Sequence, residues 1–422
     1  MSWFQQFVTG ELVLLTIWLL AQVVSLGLFR RELSKPVVAP LTDDECPKFC
    51  VGMTLRGADP FLGDAIAALL RLDYPRFEVH LIIDSAVDPA WDVAKETVAR
   101  CGATNARLDT LQERPATCSL YNAAIAQFLD RLPPDCELIA LCDGDTIVPK
   151  DWLRQMAAAM RDPKVGSTLG IHWYAPISAG WGSVVRYIWR AGAVVPMWMW
   201  NMLWTGTMAL RKADVQQGGF SEILRHSLVE DAQVATLVQK LGKRVAFLPN
   251  LVMVNHEEIT LARCFLYLRR QLLWVRLYHS AWNLVLINAL TNTVAMGAPF
   301  LIAAVAFVCG ETLAGLMALA GGAIYYAGLF VMLRVLENGV LGKLPQPERA
   351  ECRPSTAASM VSFLGICIAQ TLYVVAVMSI LWVRRINWRG VSYTIRSPWN
   401  VTMNEYQPYQ PAPSSPSPKS SL

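Results

Sequence analysis

The chain has 422 residues, of which 54% are hydrophobic, and its mean hydropathy is +0.34. This composition is too apolar for an ordinary soluble protein of that length, so membrane segments are expected. The formal net charge of +4 is small and does not suggest nucleic-acid binding, and the 10 cysteines lack the paired spacing of a zinc site or a disulfide framework.

The first apolar segment runs from Leu12 to Phe29 without a charged residue. It is long enough to cross a bilayer core, and no small-residue cleavage site follows it. Residues 1–30 are therefore predicted to be an uncleaved membrane anchor. Arg30 and Arg31 follow directly, and because basic residues accumulate on the cytosolic side of membranes, the polar block of residues 48–258 is predicted to be cytosolic.

Buried strands alternate with helices in that polar block. Asp59-Pro60 and Asp88-Pro89 are helix-start signals. Such alternation predicts an α/β domain with a mainly parallel sheet covered by helices on both faces. The strands are predicted over residues 49–55, 77–83 and 138–142, and the helices over 59–72, 120–129 and 151–160, with one more from Asp88.

Four acidic residues follow strand ends, where ligands bind in parallel sheets: Asp84, Asp88, Asp143 and Asp145. The sequence Asp143-Gly144-Asp145 is also a good turn former. Its position directly after a buried strand nevertheless favours a site for Mg²⁺ or Mn²⁺, held by Asp143 and Asp145 against a diphosphate.

Asp84 or Asp88 is a candidate to bind the uracil or ribose of a nucleotide, although Asp88 is also the expected cap of its helix. Further along, Glu230 and Asp231 begin a predicted helix, where acids are favoured by the helix dipole alone. A carboxylate near a metal-binding pair could also deprotonate an acceptor hydroxyl, and Asp231 is predicted to be that base.

Trp198, Trp200 and Trp204 alternate with methionines and could be core residues. Their density is more typical of a surface in the headgroup layer of a membrane, where an apolar acceptor could enter. Residues 259–283 are predicted to form an interfacial helix.

Three further apolar segments, all within residues 284–383, are each long enough to span a membrane: Leu284 to Cys309, Ala314 to Leu333 and Ala358 to Val383. If all three span, the tail with Arg384, Arg385 and Arg389 lies outside, against the charge rule. A cytosolic tail is therefore predicted, with one segment re-entrant or interfacial. The tail begins at residue 384, and its Pro/Ser-rich part from about residue 407 is expected to be disordered.

Several ordered motifs within residues 48–393 go beyond these patterns: LRGADP (55–60), LDYPRFEV (72–79), DPAWDV (88–93), TGTMALRK (205–212), VED (229–231) and NWRGVSY (387–393). Together they resemble the ceramide glucosyltransferases and their bacterial, hopanoid-linked relatives. Those proteins are inverting membrane glycosyltransferases with a GT-A domain, a Rossmann-like fold. The resemblance implies an integral protein of a bacterial inner membrane, or of the Golgi or endoplasmic reticulum, that uses a UDP-sugar donor and a membrane lipid acceptor.

The resemblance also implies residue roles. Asp88 corresponds to the nucleotide-binding aspartate, Asp143 to the aspartate at the metal and diphosphate, and Asp231 to the general base. Arg270, Gln271 and Trp274 match the family signature that closes over the donor and acceptor, and Asn122 matches the asparagine of a family helix. These residues and Arg276 are predicted to bind the nucleotide sugar.

Two positions depart from the family pattern. Leu273 replaces the signature arginine before the tryptophan, so Arg269 or Arg276 would have to substitute for it, and Ser119 replaces a lysine. The sequence is interpreted as a glycosyltransferase that moves a sugar, expected from the resemblance to be glucose, to a ceramide-like lipid hydroxyl. A processive polysaccharide synthase, a glycosyltransferase for hopanoids or other lipids, a transporter and an inactive membrane scaffold are the alternatives.

Overall fold

The computed structural model describes residues 2–36, 38–39 and 41–409 of the chain. Its helices are α1 (Trp3–Leu33), α2 (Leu62–Leu70), α3 (Pro89–Cys101), α4 (Leu120–Asp130), α5 (Trp152–Met160), α6 (Trp181–Met199), α7 (Lys212–Gln217), α8 (Phe220–Leu224), α9 (Asp231–Lys240), α10 (Leu261–Tyr278), α11 (Trp282–Val308), α12 (Thr312–Leu341), α13 (Gln346–Glu351) and α14 (Thr356–Ile380). Its strands are β1 (Phe49–Leu55), β2 (Phe77–Ile83), β3 (Ala106–Thr110), β4 (Leu138–Cys142), β5 (Val165–Tyr174), β6 (Ala209–Arg211), β7 (Arg244–Asn255), β8 (Arg385–Trp388), β9 (Val391–Ser397) and β10 (Asn400–Glu405).

The α/β unit contains a five-stranded sheet in the order β3-β2-β1-β4-β6. Its strands are parallel except for the antiparallel pairing of β6 with β4. Successive side chains of a strand face opposite ways, so Phe49, Val51 and Met53 pack towards α2 and α5, whereas Cys50 packs on the side of α4. Helices cover both faces. The predicted α/β class with a mainly parallel sheet is confirmed.

The helix predicted from Asp59 begins three residues later, at Leu62. Asp59 does not act as its cap, because its carboxylate accepts a hydrogen bond from Arg389 at 2.8 Å instead. An arginine that is distant in the chain therefore binds the side chain that the local sequence predicted to cap a helix.

Four helices, α1, α11, α12 and α14, are long and apolar enough to cross a membrane. The first three form a bundle in which small residues permit close approach: Gly321 and Gly328 of α12 lie against Leu12 and Leu19 of α1. By length and composition, the prediction of one N-terminal and about three C-terminal membrane helices is confirmed.

Helix α14 differs from the other three because both its ends adjoin the α/β unit. Before it, Arg349 of α13 folds back onto the end of α12 by donating to Gly342 O at 2.8 Å. After it, Arg276 of α10 donates to the carbonyl oxygens of Leu381 and Val383. Along its length α14 packs on α6 and α10. The chain after α14 therefore lies on the same side of the bundle as the α/β unit.

Strands β8, β9 and β10 form an antiparallel sheet, the tail sheet, that returns to the α/β unit. Met403 N donates to Ala116 O at 2.6 Å, and the buried Tyr393 accepts from Leu120 N at 3.2 Å. These three strands were not among the predicted elements. The part of the tail predicted to be disordered lies, from residue 410 onward, outside the described residues.

Candidate active site

A polar cavity of about 220 Å³ lies at the carboxyl ends of β1, β2 and β4, where the strand-end acids were expected to meet. Helix α10 and the tail sheet also contribute walls to the cavity. Of the predicted site residues, it is lined by Asp84, Asp143, Asp145, Asp231, Arg270, Gln271 and Trp274.

Asp143 lies in a network of polar groups on the floor of the cavity. Its Oδ1 accepts from the hydroxyl of Tyr121 at 3.1 Å, and that hydroxyl also lies 3.3 Å from Oε1 of the buried Glu230. Burial, with the nearby charge of Asp145, raises the pKa of Asp143 to about 7. Burial also raises the pKa of Glu230 to about 8, with a further contribution from Asp231.

Acids whose pKa values rise in this way lack a compensating positive charge. A divalent cation between Asp143 and Asp145 would supply one. Within residues 2–36, 38–39 and 41–409 there is no group of three His, Cys, Asp or Glu side chains placed to hold a metal. Two carboxylates are nevertheless sufficient for an ion such as Mg²⁺, because it commonly takes one or two carboxylates and completes its shell with substrate phosphates and water.

Asp231 begins α9 and faces the same cavity. Its Oδ1 accepts from Ala232 N at 2.6 Å. Burial raises the pKa of Asp231 to about 6, while Arg190 of α6 acts in the opposite direction. Arg190 donates to Nδ1 of His172 at 3.2 Å, and His172 is stacked on Trp204 with ring centroids 4.4 Å apart.

Two arginines bring positive charge to the cavity. Arg270 forms no side-chain hydrogen bond or ion pair among the described residues, and burial lowers its pKa, while the charge of Asp145 acts in the opposite direction. Arg389, which leads from β8 into β9, adopts a left-handed φ of 47° and donates to Asp59 Oδ2 and to Arg56 O. A non-glycine residue rarely adopts that conformation without a structural demand.

The remaining predicted residues lie outside the lining of the cavity. Asp88 caps α3 through Ala90 N at 2.9 Å and accepts from Gly57 N, so it holds the loop after β1. Asn122 is buried and donates to Ser227 Oγ at 3.0 Å. Arg276 binds the carbonyl groups that follow α14.

Asp84, which does line the cavity, is already ion-paired. Arg56 contacts it directly, Arg114 lies at 3.5 Å, and the hydroxyl of Tyr406 donates to it at 3.3 Å. Arg114 also stacks on the Tyr406 ring, 4.6 Å from its centroid. The segment after β10 thus covers this end of the cavity.

The two family departures have structural explanations. Leu273 is buried in the main hydrophobic core and does not line the cavity. Ser119 caps α4, accepting from Asn122 N at 3.0 Å and donating to Leu228 O at 2.7 Å. Neither Arg269 nor Arg276 reaches the cavity, whereas Arg389 does.

Sequence reasoning assigned no site role to Arg389, Tyr121, Arg190 or His172. Arg389 stands in the motif at residues 387–393, which was one signal available for it. The other three come from α4, α6 and β5, and their convergence depends on packing between elements that are distant in the chain.

A second cavity of about 450 Å³ is mainly apolar and extends from the first into the helix bundle. Helices α1, α6, α11, α12 and α14 line it, and Trp200 of the Trp/Met cluster is among its walls, while Trp198 packs on Phe29 of α1. The two cavities share five lining residues: Arg190, Trp204, Asp231, Gln271 and Trp274. Asp231 therefore lies where a polar chamber and an apolar one meet.

The sequence profile of Glycosyl transferase family 21 matches residues 17–400, which is most of the chain. The protein belongs to this family of glycosyltransferases. The predicted resemblance to the ceramide glucosyltransferase family is confirmed.

Individual relatives are more distant. A ceramide glucosyltransferase from Pyricularia oryzae is 34% identical over 91 residues, 20% of this chain and 18% of that protein. A mannosyltransferase from Pyrobaculum calidifontis, solved with GDP-Man and Mn²⁺, gives a TM-score of 0.49 at 16% identity over 89% of this chain and 99% of that chain. Glucosyl-3-phosphoglycerate synthase from Mycobacterium tuberculosis, solved with Mn²⁺, UDP and glucosyl-3-phosphoglycerate, gives 0.36 at 12% identity over 52% and 76%.

Proposed function

We propose that this glycosyltransferase moves one sugar, glucose or another hexose, from a UDP-sugar to the hydroxyl of a ceramide-like membrane lipid. The observation that carries the proposal is the position of Asp231 at the junction of the two cavities. A polar chamber suits a water-soluble donor, and an apolar one within membrane helices suits a lipid chain. Transfer between two such substrates needs a reactive group at their meeting point.

The donor is inferred from the charges of the polar chamber. Arg270 is a partly buried cation that forms no ion pair or side-chain hydrogen bond among the described residues, and a charge removed from water is costly unless it is paired. A diphosphate would pair with Arg270 and with Arg389. Arg389 would then supply the positive charge that the family signature places at the position of Leu273. At the far end, Tyr406 and the Asp84 ion pairs form a polar and aromatic surface suited to a uridine.

Asp143 and Asp145 would hold Mg²⁺ or Mn²⁺ together with the donor diphosphate. When bound, the ion offsets the negative charge that develops on the departing UDP. Arg270 and Arg389 contribute to the same end by presenting fixed positive charge at the diphosphate, and they need not reorganise during the reaction.

In the proposed reaction, Asp231 accepts the proton of the acceptor hydroxyl. The acceptor oxygen attacks the anomeric carbon from the face opposite the diphosphate, forming the new glycosidic bond as the bond to the diphosphate oxygen breaks. UDP leaves with that electron pair. A single displacement inverts the anomeric centre, so an α-linked donor gives a β-linked product. The hydrogen bond from Ala232 N and the charge of Arg190 favour the ionised form of Asp231, since both oppose the pKa rise caused by burial.

The membrane arrangement supports a lipid acceptor rather than a growing polymer. Helices α1, α11 and α12 form the bundle, and α14 begins and ends beside the α/β unit. The cavity that enters this bundle is mostly apolar, which fits hydrocarbon and disfavours a hydrated polysaccharide. Arg30 and Arg31 at the end of α1 favour a cytosolic α/β unit.

The experiment is incubation of the purified protein in lipid nanodiscs with a panel of UDP-sugars, Mg²⁺ or Mn²⁺ and a ceramide-containing lipid extract. Mass spectrometry should detect a single added hexose on a lipid, absent with Asp231→Asn. A ladder of lengthening sugar polymer would instead establish the processive synthase. Purified, folded protein that transfers no sugar to any lipid would support the scaffold alternative.

A further inference from the structure

The apolar cavity contains polar side chains deep among the membrane helices. We call Trp18 and Gln22 of α1, Asn288 and Asn292 of α11, and Tyr325 of α12 the intramembrane polar cluster. All but Tyr325 line the cavity. Polar groups are expensive in a hydrocarbon environment, and those that persist there frequently mark a substrate pathway.

The hydrogen bonds of the cluster fix the direction of its amides. Asn292 Oδ1 accepts from the indole Nε1 of Trp18 at 3.0 Å, and because an indole can only donate, this atom must be the oxygen. Gln22 therefore presents its Nε2 to the same oxygen, at 2.7 Å, and Asn292 Nδ2 donates to Asn288 Oδ1 at 3.0 Å.

This directionality leaves two groups unpaired. Gln22 Oε1 is buried and accepts no hydrogen bond, and the amide nitrogen of Asn288 donates to no other group in the described part of the chain. Helix packing accounts for Asn292, Trp18 and Tyr325, since the bonds from Trp18 and Tyr325 to Asn292 each join two helices. They do not account for the unpaired Gln22 Oε1 or for the Asn288 amide nitrogen, which belong to two residues that line the same cavity.

The cluster is at a definite depth. At about 1.5 Å per residue, Asn288 and Asn292 lie about 9 and 15 Å along α11 from Trp282, and Gln22 lies about 16 Å along α1 from Leu33. Both reference ends adjoin the α/β unit. A hydrocarbon core is about 30 Å thick, so the cluster lies between its edge and its middle. The same cavity reaches Asp231.

Resting on the proposed function, we propose that Gln22 and Asn288 recognise a hydrogen-bonding group, such as a hydroxyl, on the hydrocarbon part of the acceptor lipid. The lipid would present its reactive hydroxyl to Asp231 while its chain extends along α11. A chain hydroxyl at the depth of the cluster would accept from the Asn288 amide and, once the Gln22 side chain turns its buried Oε1 towards the cavity, would donate to that oxygen. A plain chain would fill the same space but leave both protein groups unpaired.

The test compares two ceramides that differ only in a mid-chain hydroxyl on the acyl chain, each supplied in nanodiscs with the UDP-sugar that the protein uses. The wild-type protein should favour the hydroxylated ceramide in kcat/KM by roughly 3- to 10-fold, the range expected of a net hydrogen bond. Gln22→Leu and Asn288→Leu should bring that ratio towards one, with KM for the UDP-sugar unchanged.

Tyr325→Phe provides the matched control, because it removes a hydroxyl from the cluster without altering the cavity wall. It should lower thermal stability yet retain the wild-type preference. A wild-type ratio of one, or a preference that survives both leucine variants, would overturn this inference and leave lipid glycosylation intact. Failure to glycosylate either ceramide would overturn the proposed ceramide-like acceptor itself.

Discussion

Arg389 Nη2 donates to Asp59 Oδ2 at 2.8 Å across 330 residues of sequence. The contact joins the tail sheet, which follows the last apolar helix, to the loop after the first strand of the α/β unit. Arg56 strengthens the link by donating its Nε to Arg389 O at 3.0 Å. The polar cavity is therefore completed by a part of the chain that lies beyond the membrane helices.

Arg389 should contribute to donor binding. Replacing it with alanine removes a cation from the proposed diphosphate site, and charge-assisted hydrogen bonds are roughly twice as strong as neutral ones. Arg389→Ala should raise KM for the UDP-sugar by about tenfold or more, with a much smaller effect on KM for the lipid. Arg384→Ala changes an exposed arginine five residues earlier and serves as the control. Equal donor KM values in the two variants would exclude a donor role for Arg389.

Asp231 should be required for the chemical step. Asp231→Asn keeps the shape of the side chain but cannot take a proton, and a positioned base typically contributes roughly 10²- to 10⁴-fold. Turnover should fall by at least this factor, while UDP-sugar affinity measured by calorimetry remains near that of the wild type. Turnover within a few-fold of wild type would assign the base elsewhere.

The pH dependence of turnover should show one acidic limb. The pKa of Asp231, raised by burial to about 6, lies above the ordinary value of an aspartate, and only the ionised form can accept a proton. Activity should therefore be full above this pKa and fall by about tenfold for each further unit of pH below it. Arg190→Gln removes the charge that opposes the rise, so it should move the limb to higher pH. A limb that stays in place would contradict this role of Arg190.

A divalent cation should be needed for transfer. Because Asp143 and Asp145 repel each other unless a positive charge lies between them, EDTA should stop turnover and added Mg²⁺ or Mn²⁺ should restore it. Asp145→Asn should weaken the affinity for the metal, seen as a higher Mg²⁺ or Mn²⁺ concentration for half-maximal rescue of turnover. Full turnover in EDTA would rule out the proposed metal site.

The tail should lie on the same side of the membrane as the α/β unit. In a protein whose other cysteines have been replaced, an impermeant thiol reagent applied to intact cells should label the exposed native Cys309, at the far end of α11. It should not label Thr110→Cys or Tyr409→Cys. Labelling of Tyr409→Cys without labelling of Thr110→Cys would mean that α14 crosses the membrane.

Local pattern was sufficient for much of the fold. The three predicted strands are found at the predicted residues, Phe49–Leu55, Phe77–Ile83 and Leu138–Cys142, because each is a short and mainly apolar segment with β-branched or aromatic residues or a turn directly after it. The apolar helices were equally evident from length and composition. The alternation of strands and helices also predicted that Asp84, Asp143 and Asp145 would meet at one edge of the sheet, and they line one cavity there.

The sequence by itself thus determined the α/β class, the apolar helices and the family, since those depend on residue periodicity, segment length and ordered motifs. Only the tertiary structure decided that the tail sheet after α14 packs on the α/β unit, that Arg389 rather than Arg269 or Arg276 reaches the polar cavity, and that Asp231 lies where two cavities join. Each of these depends on contacts between side chains far apart in the chain. Such contacts are selected by packing and charge pairing in three dimensions, which no local pattern of residues encodes.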